Sequence, residues 1–130
     1  MKITLLYGGL LALWFLVLSI RVILGRVGPG KPSLGDGGDL TMQRRIRGHA
    51  NFAEYVPLVL VLMALLELGG MPAWFLHALG ASLLMGRLLH GYAFAFTQSF
   101  VLGRSGGIAL TFTSLLVSGL ACVYLGLQQV

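Results

Sequence analysis

The chain is short of charge, and shorter still of acid and sulfur. Of its 130 residues only 10% are charged, four are Asp or Glu, and one is a cysteine. Soluble chains run at roughly 25% charged residues. Here 57% of the residues are hydrophobic, and the mean hydropathy is +0.89. A soluble fold of this size has no interior large enough for so much apolar surface, so the chain reads as an integral membrane protein. The single Cys122 excludes an intrachain disulfide and a paired-cysteine thiol–quinone centre. Among Leu120, Ala121 and Val123 it reads as a small packing residue. Any sulfur chemistry must therefore arrive with a ligand. No G-x-x-x-x-G-K-S/T phosphate loop is present, and no repeat aligns the two halves, which argues against an inverted-repeat transporter. His77 and His90 fall about 140° apart on a helix, too far round to share one haem iron.

What is present is long apolar runs. Crossing about 30 Å of hydrocarbon takes about 20 residues of helix. Four stretches qualify, at residues 3–24, 45–68, 72–96 and 108–127. They occupy nearly all of residues 1–130, leaving room for one domain. The expected fold class is all-α, a membrane four-helix bundle. The first run is too long for a signal-peptide core, has no small-x-small site after it, and is closed by Arg21 and Arg26, so it reads as a retained span. The connection from Gly25 to Arg44 is rich in Gly and Pro, which fits turns, and Asp39 or Thr41 is placed to cap the second helix. Gly69-Gly-Met-Pro72 makes a tight connection, with Pro72 suited to the first turn of the third helix. Pro57 is expected to bend the second.

The net charge of +5 is concentrated. Arg21, Arg26, Lys31, Arg44, Arg45 and Arg47 lie in or beside the first connection, whereas the second has no basic residue. Basic residues favour the cytoplasmic side. The first connection is therefore expected in the cytoplasm and both termini opposite, which accounts for the charge without a nucleic acid.

At 100° per residue, Arg44, Arg47, Asn51, Glu54 and Leu58 fall within about 80° of one another. Glu54 lies two turns inside an apolar run, and Arg87 lies mid-span in the third; buried in hydrocarbon, each needs a partner or a wet cavity. One reading is structural, with Glu54 and Arg87 neutralising each other. The other starts from the surplus of arginine over acid at that end of the bundle. Arginines there favour a carboxylate ligand, Glu54 an ammonium group, and Asn51 offers a donor and an acceptor. The complementary ligand is small and zwitterionic, beside a lipid-open wall.

Arg47-Gly-His49-Ala-Asn51-Phe-Ala-Glu54-Tyr55-Val-Pro57 resembles the second-helix motif of the MAPEG superfamily, the membrane-associated proteins of eicosanoid and glutathione metabolism. Gly86-Arg87-Leu-Leu-His90-Gly-Tyr92 is similar to the family's third-helix motif, and the four-span layout matches throughout. The resemblance implies a homotrimer with glutathione as co-substrate between subunits near the cytoplasmic face. It implies that Arg47, Asn51 and Glu54 hold the peptide and γ-glutamyl groups, that Tyr55, Arg87 and His90 line the site, and that Arg21 and His49 serve it across a subunit boundary. Arg104 is the implied catalytic residue, close to the thiol. The implied activity is a glutathione transferase or peroxidase of a bacterial inner membrane, acting on a hydrophobic electrophile. The pattern departs at Phe94, where relatives often carry a tyrosine. That leaves open a non-catalytic glutathione- or lipid-binding protein of the same fold. A small four-helix exporter would need an acid in its first span, and Tyr7 to Ile20 contains none.

The charge distribution generates a topology test. A reporter fused after Val130 is expected to read as outside the cytoplasm; a cytoplasmic signal reverses the orientation and removes cytosolic access to the arginine-rich end.

Overall fold

The structure, a computed structural model, describes residues 1–128. These form four α-helices: α1 (Lys2–Leu24), α2 (Leu40–Leu68), α3 (Ala73–Ala95) and α4 (Val101–Gln128). The four-helix expectation holds. Three of the helices, α1, α2 and α4, are long and apolar enough to cross a membrane. The third is set apart by composition rather than length. At 23 residues and 1.5 Å per residue it reaches about 35 Å, but it carries His77, Arg87 and His90. It can do so because it is the central helix, packed against α1, α2 and α4, while α1 and α4 do not meet. Leu76, Leu79, Leu83 and Ala93 of α3 are almost wholly buried, as are Leu11 and Leu18 of α1 and Val59, Met63 and Leu66 of α2. The outward faces are apolar, with Leu5, Leu13, Val61, Leu102 and Leu116 exposed, as lipid contact requires.

Two helices begin earlier than their apolar runs. The second starts at Leu40 instead of Arg45, because Asp39 caps it: the carboxylate accepts from the backbone N–H of Thr41 at 2.8 Å and Met42 at 3.4 Å. The fourth starts at Val101 instead of Ile108, through Gly103, Gly106 and Gly107, which read as loop. Gly103 and Gly107 are buried, and that close contact is what the glycines serve. Pro72 sits one residue before the helix, as the N-cap of α3. The second helix continues unbroken through Pro57. Glycines of the first connection occupy turns that need positive φ, Gly28 at 119° and Gly38 at 78° among them.

Glycine also sets the helix spacing. A Cβ on Gly86 would stand 2.8 Å from the Gly107 carbonyl oxygen, and one on Gly107 would stand 2.6 Å from the Gly86 carbonyl oxygen. Backbone thus meets backbone where α3 crosses α4. Gly80 and Gly91 instead make room for side chains of α1, receiving the ring of Tyr7 and the indole of Trp14. On α4 the side toward α3 is small throughout, with Thr111, Ser114 and Ser118 fully buried. Their hydroxyls donate to carbonyls one turn back, at Gly107, Leu110 and Leu115.

The far end of the bundle is fastened by a residue whose role the sequence does not reveal. Glu67, near the end of α2, accepts from the free N–H groups of Ile3 at 2.9 Å and Thr4 at 2.8 Å, and stands 3.7 Å from the terminal amine. A carboxylate there satisfies orphan donors and complements the α1 dipole. His77 bonds Tyr7 of α1 at 3.2 Å, a purely interhelical contact.

The crossing of α3 and α4 is testable. Gly107→Val would force backbone apart and is expected to lower unfolding free energy in detergent by about 1–3 kcal/mol. Gly119→Ala, where nothing stands within 4 Å, is expected to leave it unchanged or raised. Equal effects from the two substitutions would show that the crossing does not depend on glycine.

Candidate functional site

The polar residues of α2 divide into two adjacent rows. Arg44 and Asn51 turn inward to α3. Arg47 and Glu54 stay outside and pair with each other at 3.1 Å, their side chains 59% and 45% exposed. With Leu68 as the far membrane edge, 1.5 Å per residue puts Glu54 about 9 Å inside a 30 Å slab. An ion pair is therefore open on the surface of a single chain at a depth where lipid would otherwise meet it.

Behind the pair lies Arg87, 1% exposed. Its partner is an amide: Nη1 donates to Asn51 Oδ1 at 2.8 Å, while Nε and Nη2 are buried with no partner among the described residues. The pairing of Glu54 with Arg87 is thus replaced by two others, Arg47 with Glu54 and Arg87 with Asn51. The α3 backbone is held here too, since Trp14 Nε1 of α1 donates to the Arg87 carbonyl at 2.9 Å. His90, one turn on, is 5% exposed. It stacks on Phe94 with centroids 4.7 Å apart, and the charges of Arg87, Arg47 and Arg104 all bear on it. Tyr55 bears on Arg87 and packs against Phe112 of α4, 5.3 Å between centroids. Arg104, in the first turn of α4, is exposed and makes no side-chain hydrogen bond among the described residues. Together with Arg44, Gln98 and Ser99 it lines a crevice of about 120 Å³.

Arg47, Asn51, Glu54, Tyr55, Arg87, His90 and Arg104 therefore gather on one side, where α2, α3 and α4 converge. Two residues implied by the sequence lie elsewhere in this chain. His49 turns toward α1, its Nε2 3.1 Å from Ser19 Oγ and its ring stacked on Phe15 at 4.5 Å. Arg21 donates through Nε and Nη2 to the Ala95 carbonyl at 3.2 and 2.9 Å and covers the Phe96 ring at 4.6 Å. Arg44 donates to the Ala93 carbonyl at 2.7 Å. These two arginines cap the open C-terminal carbonyls of α3, a role for which the sequence gives only position. Phe94 packs against Gly48 with the Arg44 guanidinium 5.2 Å above it. A larger cavity of about 360 Å³, lined by Leu65, Leu66, Cys122 and Leu125, lies toward the other end of α2. It contains no charged group, so volume there does not outweigh the charge cluster.

All four acids of the chain are accounted for. Asp36 accepts from Gly38 N–H, Asp39 caps α2, Glu67 caps α1, and Glu54 holds Arg47. Among the described residues no carboxylate pairs with Arg87 or Arg104. The site is thus a cation-rich surface with one carboxylate and one buried amide, on a helical integral membrane protein.

The comparisons agree with that class. The model of the MAPEG family matches residues 4–124. The chain is also 37% identical over 116 residues to the inner membrane protein YecN of Escherichia coli K12, covering 89% of this chain and 86% of that protein. The same protein from Escherichia coli O6:H1 matches to the same extent. No solved structure matches. The chain belongs to the MAPEG family.

The Asn51–Arg87 bond yields a stability prediction. Asn51→Ala leaves a buried guanidinium without its partner and is expected to cost about 1.5–3 kcal/mol of unfolding free energy. Asn51→Asp returns an acceptor and is expected to recover most of it. Detergent unfolding monitored by circular dichroism reads both; an unperturbed Asn51→Ala would show that Arg87 finds its partner elsewhere.

Proposed function

We propose that the protein is a glutathione-dependent transferase or peroxidase of the inner membrane, working on a hydrophobic electrophile. The observation that carries this reading is the cation surplus around the exposed Arg47–Glu54 pair, with Arg87 and Arg104 beside it and no acid left to neutralise them. Glutathione is complementary to that surface. Its carboxylates suit Arg47 and the neighbouring guanidiniums through two-pronged hydrogen bonds. Its γ-glutamyl ammonium suits Glu54, and its peptide groups suit Asn51. The open pair at membrane depth also supports a second copy of the chain as its cover. The trimer expected for the family would supply Arg21 and His49 from neighbours, after their present intrachain bonds rearrange. The inner-membrane location follows the name of the Escherichia coli relative, and the cytoplasmic placement of the arginine-rich end follows the distribution of basic residues.

The chemistry follows from charge. A free thiol titrates near 8.5, and a guanidinium beside it favours the thiolate. Arg104 has no competing bond and stands in the first turn of α4, where the helix dipole adds to its field. In conjugation the thiol proton leaves to water, the sulfur lone pair forms the bond to the electrophilic carbon, and the leaving group departs as an anion. The electrophile reaches the sulfur from the lipid side.

Phe94 favours a second reading, a glutathione-binding protein without catalysis, because it offers no hydroxyl to the ligand. The two readings separate by experiment. By calorimetry, Arg47→Ala and Glu54→Gln are each expected to weaken glutathione binding roughly tenfold or more, since charge-assisted contacts are worth about 1.5–3 kcal/mol. Normal binding in both variants would make the stripe structural. Thiolate absorbance against pH then tests catalysis. Arg104→Ala is expected to move the titration upward and slow conjugation of an aryl halide, with affinity nearly unchanged. A parent protein that binds glutathione yet shows no thiolate below pH 8 is the binding protein.

A further inference from the structure

A second arginine cluster lies beside the first and shares Arg44 with it. The ends of α1, α2 and α3 enclose a crevice of about 190 Å³ lined by Arg21, Arg44, Arg45, Thr41, Thr97 and Gln98, with Phe94 and Phe96 in its wall. No acid lines it. A guanidinium has five N–H groups, and here few are used. Arg44 donates once, to Ala93, and Arg45 makes one long bond of 3.4 Å to the Arg21 carbonyl. The Nε atoms of both are out of water and have no partner among the described residues.

An apolar hollow lies between α1 and α3 on the outward side of the bundle. Trp14 of α1 and Met85, Leu88, Leu89 and Tyr92 of α3 line a hollow of about 250 Å³. Phe96 joins the two. It lies under the Arg21 guanidinium, and its ring stacks on Trp14 at 6.1 Å and on Tyr92 at 5.6 Å. Phe96 thus stands in the wall of the cationic crevice and against two residues of the apolar hollow.

We propose that this surface binds an anionic phospholipid, with its phosphate between Arg44 and Arg45 and one acyl chain along the Trp14–Tyr92 groove. Charge and shape both select that occupant. Phosphate matches the planar guanidinium fork, and basic pockets between membrane helices favour anionic headgroups. A free phosphate would fill the crevice and leave the groove empty, and an acidic soluble partner would not enter a lipid-facing channel. The crevice shares Arg44 and Gln98 with the hollow beside Arg104, while Arg45 and the Trp14–Tyr92 groove belong to it alone; the proposal does not depend on glutathione chemistry.

Trp14 is a built-in reporter, its indole fixed by the bond to the Arg87 carbonyl. The chain has two tryptophans, so Trp74→Phe leaves Trp14 alone. This protein is placed in phosphatidylcholine vesicles containing a small fraction of either phosphatidylglycerol or phosphatidylcholine with brominated chains. Brominated phosphatidylglycerol is expected to half-quench Trp14 at about one-fifth the mole fraction or less, in line with the attraction of even one basic residue for an anionic lipid. Arg45→Gln is expected to bring the two lipids close to parity, and Arg45→Lys to keep most of the preference. Equal quenching by both lipids in the parent overturns the proposal. So does displacement of the preference by millimolar inorganic phosphate, which would make the crevice a soluble-anion site. A change of oligomer mass in Arg45→Gln with the lipid preference intact also overturns it, since the crevice would then be a contact between copies.

Discussion

A guanidinium in a low-dielectric surround must have a partner, and this chain has seven arginines for four acids. The arrangement of the bundle's charged end follows from that shortage. The acids are engaged in capping α1 and α2, closing a turn and holding Arg47. The arginines therefore bond to what remains. Arg21 and Arg44 take the last carbonyls of α3, Arg45 takes the end of α1, and Arg87 takes an amide. Each solution ties one helix to another, so the partner shortage also builds the tertiary contacts.

The two ends of the molecule are consequently held by opposite charges. At one end Glu67 satisfies the first N–H groups of α1; at the other, arginines satisfy the last C=O groups of α3. Both contacts complement a helix dipole. Between them the helices pack through glycine and small hydroxyl residues, which bring backbones together where apolar side chains gain little by leaving lipid. That close packing lets α3 keep Arg87 and His90 inside the bundle and away from hydrocarbon.

The cations left with spare capacity lie on two faces of α2. Arg47, Arg87 and Arg104 surround a surface with one carboxylate, while Arg21, Arg44 and Arg45 surround a crevice with none. A zwitterion is complementary to the first and a phosphate to the second. The same helix can serve both because Arg44 and Asn51 turn inward while Arg47 and Glu54, one position round, remain outside.

Much of this was legible in the residues. Apolar run length determined four helices, because hydrocarbon thickness sets a minimum. Asp39 as a cap, the glycines as turns and close contacts, and the membership of α2 and α3 in one polar site all follow from local rules of spacing and conformation. Partner choice did not. Glu54 could equally have met Arg87 by sequence; the structure gives it Arg47, because Asn51 faces inward and reaches Arg87 first. Nor could spacing show that α4 begins seven residues before its apolar run, since two buried glycines made those turns worth forming. His49 packs against α1, and Glu67 sits under the first turn of α1, for the same reason. The sequence by itself determined which groups must find partners, through the cost of burying charge and backbone. The tertiary structure decided which partners they found, because that depends on how far apart glycine and small side chains let the helices stand.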